Sequence, residues 1–260
     1  MIISFDVGIK NLAFCLFSDK SKKYNIHEWE VLNLCGDTVK CKKITKKGIC
    51  DKTASYTAGG ENYCGTHVKS CGMNLAPDLY YKIYDKKRSS SANRSELAEL
   101  LGYNDTKDTL GMCTKCREIY AVKIPKAQGA SDIDLVKVGS AICDKLPAII
   151  NIESIKTVII ENQISKIATR MKTVQGMIAQ FFIDRNIRDI YFVSSSNKLK
   201  AYDVPKKTYA ERKKSCISVT SSFFENYPSL EKWKYKFDNH KKKDDLADAF
   251  LQGVWFINTL

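Results

Sequence analysis

The first eleven residues, MIISFDVGIKN, set the strongest constraint on how this chain can fold. β-Favouring and small residues lead into Phe5-Asp6-Val7-Gly8, which predicts a buried first strand carrying one carboxylate, Asp6, at its end. A carboxylate in a central strand is unfavourable unless a metal ion, a partner charge or several hydrogen bonds compensate it. Gly8 lets the backbone turn sharply or another group approach closely. Taken alone, Asp-x-Gly-x-x-Asn is a weak pattern, so the rest of the chain must decide how Asp6 is used.

Leu12–Phe17 continues apolar and Tyr24–Leu34 alternates, so the start reads as an antiparallel meander of three short strands, with His27 in a structural role. From Gly36 to residue 130 the chain is rich in Cys, Lys, Gly, Ser and Asn with weak periodicity, and reads as an insertion. Within it, Lys86–Asn93 is a polar tether, and a short helix is expected at Glu96–Leu101 with Ser95 as N-cap. Regular patterns then resume. Asp132–Ile150 has helical spacing at Leu135, Val138, Ile142 and Leu146, with Pro147 at its end or a kink. Thr157–Glu161 reads as a buried strand ending in a second carboxylate. The following helix, Ile164–Phe182, places Ile164, Ala168, Met171, Gln175, Ile178 and Phe182 on one stripe. Lys166, Arg170 and Lys172 then point towards solvent or a phosphate backbone.

Asp189–Ser194 is a further strand, Ser195–Asp203 a polar loop, Tyr209–Phe224 a helix and Lys232–Lys243 a basic, aromatic-bearing loop. Asp244–Ile257 closes the domain as a helix whose apolar face runs through Leu246, Ala249, Phe250, Gly253, Val254 and Ile257. Asp244, Asp245 and Asp248 open that helix; Asp245 with Asp248, three apart, and Asp244 with Asp248, four apart, can each share a face. In isolation, acids at a helix start are also accounted for by the helix dipole. The expected organisation is therefore a core of residues 1–35 and 131–260 with an insertion at 36–130.

Charge narrows the partner. Lys and Arg total 42 against 29 Asp and Glu, a net charge of +13, which favours a polyanion and nucleic acid first. No run of apolar residues is long enough to span a membrane and no secretory pattern opens the chain, so an intracellular location is expected. There, ten cysteines are thiols or zinc ligands rather than disulfides. Cys41-x8-Cys50 with Cys64-x2-His67 supplies four ligands, enough for one tetrahedral structural zinc. Cys113-x2-Cys116 is a second knuckle, with Cys71 as a further ligand, and leaves a second zinc open. Cys15, Cys35, Cys143 and Cys216 fall in regular patterns and are expected to be buried packing. Lys40, Lys42, Lys43, Lys46 and Lys47 make the insertion either a DNA-gripping face or a solvated basic one.

The acids gain meaning together. Phosphodiester hydrolysis commonly uses two divalent ions about 4 Å apart, one activating water and one stabilising the leaving oxygen. Hard Mg²⁺ or Mn²⁺ takes carboxylate ligands, which fits acids gathered in a basic protein. Nothing matches a phosphate-cradling loop, and three histidines in total argue against a His-based hydrolase.

FDVGIKN, VIIENQ and KKKDDLADAF resemble the three acidic motifs of the RuvC-like Holliday junction resolvases, in the branch found in poxviruses and other large cytoplasmic DNA viruses. The resemblance covers about residues 1–35 and 131–260. It implies a ribonuclease H-like α/β fold, a mixed sheet flanked by helices, here with a Cys-rich zinc-binding insertion. Carried over by motif, Asp6, Glu161, Asp245 and Asp248 are the catalytic, metal-holding acids, with Asp244 as an adjacent extra. Family members also use a basic residue beside the metals; Lys198, Lys200, Lys207, Lys213 and Lys214 are candidates and the motif does not select among them. The resemblance further implies a homodimer that cuts a four-way DNA junction symmetrically, acting for a virus in the host cytoplasm or at its replication site. Lys42, Lys43, Lys46, Lys166, Arg170 and Lys172 are the expected DNA contacts.

Three other readings compete. A transposon-associated RuvC-like nuclease carries zinc after the glutamate, whereas this insertion precedes Glu161. A zinc-containing DNA-binding or assembly protein on a dead nuclease fold should have lost an acid, and all four are present. An actin-like ATPase needs a second phosphate-binding glycine motif.

Overall fold

The computed structural model describes residues 1–18, 20–21, 23–36, 39–84, 90–125, 129–163 and 169–260. The chain divides into two compact units, Met1–Gly36 with Gln128–Leu260, and Asp37–Ala127.

The first unit opens with β1 (Ile2–Asp6), β2 (Asn11–Phe17) and β3 (Ile26–Asn33), paired antiparallel from Ile2↔Phe17 to Asp6↔Ala13 and onward into β3. A Cβ at Gly8 would lie 2.5 Å from the Asn11 carbonyl oxygen, so only glycine allows the turn between β1 and β2 to be this tight.

The second unit holds β4 (Ile44–Thr45), β5 (Gly48–Ile49), β6 (Tyr56–Ala58), β7 (Glu61–Tyr63), α1 (Asp78–Tyr84), α2 (Ser91–Leu101), α3 (Thr109–Ile119) and β8 (Val122–Lys123). It buries a core of its own. Tyr80, Ile83, Leu97, Leu101, Met112 and Cys116 of the three helices pack together, a core that the weak periodicity of this stretch does not announce. The helix at its centre begins earlier than expected. Ser90, not Ser95, is the N-cap, accepting from the Asn93 N–H, and Gly102 closes α2 in the left-handed conformation. The expected tether Lys86–Asn93 is thus partly helix, while residues 86–89 lie outside the described residues.

The first unit resumes with α4 (Leu135–Ile149), β9 (Thr157–Asn162), α5 (Thr169–Ile183), β10 (Asp189–Ser194), α6 (Tyr209–Asn226), α7 (Glu231–Asn239) and α8 (Lys243–Thr259). Its five-stranded sheet runs β10-β9-β1-β2-β3, with β1, β9 and β10 parallel: a mixed sheet whose central strand is β1. Side chains alternate across it. Ile3, Phe5, Val158 and Ile160 face Val138, Ile142, Val174 and Phe182 of α4 and α5. Ile2, Cys15, Phe17 and Ile159 face Phe223, Leu246, Phe250 and Val254 of α6 and α8. Helices therefore cover both faces.

Several expectations shift. α4 runs through Pro147 to Ile149, because only its last turn contains the proline. The stripe from Ile164 begins outside the described residues; the buried positions of α5 are Val174, Ile178, Ala179, Phe181 and Phe182, while Met171 and Gln175 are only half-buried. Lys232–Lys243 is not a loop. Trp233 and Phe237, four apart on α7, close on Trp29, with Phe237 stacked at 5.4 Å. Cys35 and Cys143 are exposed rather than buried: Cys35 follows the end of β3, and Cys143 lies on the outer face of α4 beside buried Ile142. Cys15 and Cys216 are buried.

Candidate active site and metal centre

Adjacent parallel strands bring the first two acids together. β1 and β9 are in register through Phe5↔Ile160, so Asp6 and Glu161 leave neighbouring strand ends side by side. α8 delivers the others. It crosses β1 and β2 so closely that a Cβ at Gly253 would come 2.2 Å from the Phe17 ring. Its first turn is fixed by the Trp29 indole, which donates to the Leu246 carbonyl at 3.0 Å. Gln252, fully buried one turn beyond Asp248, donates to Ser4 Oγ and the Phe5 carbonyl at 3.2 and 3.1 Å. The helix carrying Asp245 and Asp248 is thereby tied to the strand carrying Asp6.

Two lysines sit among these acids. Ser195–Leu199, expected as a polar loop, forms a 3-10 turn capped by Ser194, and it buries Lys198. Lys198 Nζ lies 3.1 Å from Asp6 Oδ1, 3.5 Å from Asp248 Oδ2 and 3.6 Å from Glu161 Oε1. Lys213, on α6, lies 2.8 Å from Asp244 Oδ2, 3.1 Å from Asp245 Oδ1 and 3.8 Å from Asp248 Oδ2. Lys242 adds a looser contact to Asp245 at 3.7 Å. Lys200, Lys207 and Lys214 are exposed and meet none of the acids, so the fold selects two of the five candidates.

The electrostatics follow from burial. Desolvation pushes Glu161 up to about 8, since Lys198 opposes this less strongly than burial and the charges of Asp6 and Asp248 promote it. A hydrogen bond between the two carboxyl groups contributes to both shifts, lowering Asp6 and raising Glu161. Burial also acts upward on Asp6, but Lys198, the Glu161 hydrogen bond and Lys213 outweigh it and leave Asp6 below the usual aspartate value. Asp248 is raised by burial and the nearby Asp6 charge. Lys198 is held above its ordinary value: burial opposes its charge, and Asp6, Asp248 and Glu161 together more than restore it. Asp6, Glu161 and Asp248 offer hard carboxylate oxygens around the Lys198 ammonium, with Asp245 beside them at Lys213, and carboxylate oxygen is the donor type that Mg²⁺ or Mn²⁺ takes.

Sequence reasoning missed the supports behind these acids. The Cys216 thiol hydrogen-bonds Asp248 and is raised by burial and by that charge; it had been read only as apolar packing. Gln252 had no assigned role. The available signal was an amide among the apolar residues of α8, one turn from an acid.

The second centre lies in the second unit. Sγ of Cys41, Cys50 and Cys64 and a ring nitrogen of His67 all fall within 4.8 Å of one another. His67 Nδ1 is 3.5 Å from both Cys41 Sγ and Cys64 Sγ. A tetrahedron with Zn–S and Zn–N bonds of about 2.3 and 2.0 Å has S–N edges of about 3.5 Å, so this set could hold zinc. Burial pushes the Cys64 thiol up, but the His67 and Thr66 N–H groups and the neighbouring thiols leave it below its ordinary value. This set is the only group of three or more Cys, His, Asp or Glu so closely gathered among the described residues; the carboxylates around Lys198 stand farther apart. Cys113 and Cys116 instead lie on α3 in the apolar core, where burial raises both, Cys116 to about 11. The Cys71 thiol is close to the Met73 carbonyl.

The expected DNA contacts divide. Lys42 and Lys46 are exposed, Lys42 pairing with Glu61 at 3.5 Å, and Lys43 is half-buried. Lys172 is exposed on α5, and Lys166 lies outside the described residues. Arg170 does not face solvent freely: its guanidinium donates to the Ala130 and Ile133 carbonyls.

Comparison with known proteins bears on both units. Residues 2–102 match the family model described as mitochondrial resolvase Ydc2 / RNA splicing MRS1. Residues 118–259, over half of the chain, match the model described as poxvirus A22 protein. Uncharacterized protein L451 of Acanthamoeba polyphaga mimivirus is 28% identical, over 98% of this chain and 74% of that protein. No solved structure matches. Among the described residues no helix is long and apolar enough to cross a membrane. On these matches the chain belongs to the poxvirus A22 family, the viral branch of the Holliday junction resolvases.

Proposed function

We propose that this chain is a divalent-metal-dependent endonuclease that resolves four-way DNA junctions, built on a ribonuclease H-like core. The observation that carries the reading is convergence: acids separated by more than two hundred residues meet around one buried ammonium. An antiparallel β1-β2-β3 meander extended by parallel β9 and β10, with α8 laid over it, is the arrangement expected of that fold.

Two bound divalent ions would supply an activated water and a stabilised leaving oxygen. Asp6 and Glu161 on the sheet and Asp245 and Asp248 on the helix are the residues to hold them. Lys198 keeps these carboxylates from repelling one another before a metal enters, then leaves a cation beside a phosphate. Lys213 holds Asp244 and Asp245 in place and adds positive charge at the same edge. Trp29 and Gln252 fix the helix against the sheet, so both pairs of acids keep one spacing. Two symmetric cuts need two such sites, so the working form is a homodimer. A structural zinc on Cys41, Cys50, Cys64 and His67 would order the second unit, and viral DNA is the substrate expected of a chain with a viral relative.

The test is a cleavage assay with purified protein, Mg²⁺ and labelled four-way, Y-shaped and linear DNAs. Paired, symmetric nicks confined to the four-way junction, lost in Asp6→Asn with binding retained, are expected. Equal cutting of every substrate would remove the junction specificity. Tight binding without cutting in Mg²⁺ or Mn²⁺ would overturn the enzyme and favour a DNA-binding protein on this fold.

A further inference from the structure

The β4–β5 hairpin presents two unlike faces. Ile44 pairs with Ile49 and Thr45 with Gly48 across a turn at Lys46-Lys47. The Cys50 N–H donates to the Lys43 carbonyl, and the Cys41 N–H to the Lys52 carbonyl, so the same register continues to the base. Successive side chains alternate. Cys41 and Cys50 therefore share the face turned to Cys64 and His67, while Ile44 and Ile49 lie together on the other face. That second face is bare: Ile44 is 75% and Ile49 73% exposed. Directly opposed residues on an antiparallel pair touch, so this is one apolar knob rather than two scattered residues.

Its surroundings are cationic. Between Lys40 and Lys52 the sequence carries six lysines against one acid, Asp51. An anionic lipid surface would also accept a basic tip with apolar residues, but the junction reading above favours a polyanion with apolar faces, which uses both parts. Nucleic acid is such a partner: phosphates outside, stacked base faces within. Aliphatic side chains on small β elements enter base steps and unstack them where basic neighbours hold the backbone. A branch point offers base pairs already stacked on one side only.

We infer that Ile44 and Ile49 form a wedge that enters the stack at the branch of a DNA junction, with Lys46 and Lys47 at the turn holding the flanking phosphates. Zinc on Cys41 and Cys50 would hold the base of the hairpin, because these candidate ligands stand at the ends of its two strands. This deepens the junction reading above and rests on it.

The test uses the full chain carrying Asp6→Asn, to stop cleavage, and a four-way junction with 2-aminopurine at the branch. Saturating protein should raise the fluorescence as the base unstacks. Adding Ile44→Thr and Ile49→Thr, which keep β-branching, should cut that rise by roughly threefold or more with the salt dependence of binding unchanged. Ile44→Phe, which enlarges the wedge, should keep the rise. Lys46→Ala and Lys47→Ala together should weaken binding and lower the log–log salt slope by roughly two. An undiminished rise in the double threonine variant overturns the wedge. So does a change confined to self-association, which would make the knob a contact between copies. If the parent chain with Asp6 intact binds the junction and cuts nothing, the resolvase reading fails while the wedge still stands or falls on fluorescence. A chain that binds no DNA overturns both.

Discussion

Glu161 governs how the acid cluster responds to pH. Its ordinary value is 4.5 and burial raises it to about 8, so the folded protein keeps a proton that the unfolded chain releases in between. The stability this group contributes is complete below the lower value and lost as pH rises through the upper one. The melting temperature of the metal-free wild type, minus that of Glu161→Gln, should therefore fall between about pH 5 and about pH 8. A flat difference would mean that Glu161 is ionised at neutral pH. Lys198 gives the complementary prediction. Removing one partner from a buried ion cluster strands the others, so Lys198→Met should cost about 3–5 kcal/mol of metal-free stability by denaturant titration. Mg²⁺ should restore more of it than it adds to the wild type, since it repairs the stranded acids. Asp6 and Glu161 were legible because each ends an apolar β run, where a carboxylate demands an explanation. Lys198 and Lys213 were not separable from Lys200, Lys207 and Lys214, because selection among them depends on a 3-10 turn and a helix both packing against α8.

α8 was the most legible element and α7 the least, and the reason is the same in both: what periodicity a reader can see. The apolar stripe of α8 is long, whereas α7 offers Trp233 and Phe237 amid Lys232, Lys234 and Lys236, which reads as a basic loop. Its helical state comes from packing on Trp29, an element two hundred residues away. The core inside the insertion was not legible for a similar reason. Its core is assembled from one or two residues per turn of three short helices, too few for a stripe. At the element scale the decisive contact is that of α8 on β2. Gly253→Ala gains about 1 kcal/mol of helix propensity. Against this, a methyl 2.2 Å from the Phe17 ring forces overpacking that costs about 1–3 kcal/mol. The net change should be a loss, visible as a lower denaturant midpoint. Because Asp245 and Asp248 ride on the displaced helix, cleavage should fall further than folding does. A stabilised variant with full cleavage would show that α8 has room to move.

Across the whole molecule, the two units keep separate apolar cores, and each has its own set of polar groups that a metal would satisfy. The core set is oxygen-rich and hard; the insertion set is thiol-rich and soft. Metals and chelators should therefore act on them independently. Cys64→Ser removes one ligand from the thiol set and leaves three, which are too few to close a structural zinc site. We expect the wild type to carry one zinc per chain by elemental analysis and Cys64→Ser to carry close to none. Metal binding at a structural site is folding free energy for the unit that contains it. The variant should accordingly expose residues 39–84 to protease at temperatures where the sheet residues stay protected. Mg²⁺ should raise the protection of β1, β9 and α8 in both proteins alike. If instead loss of the thiol ligand melts the sheet as well, the two cores fold as one cooperative body. The insertion would then be part of the nuclease scaffold rather than a module carried by it.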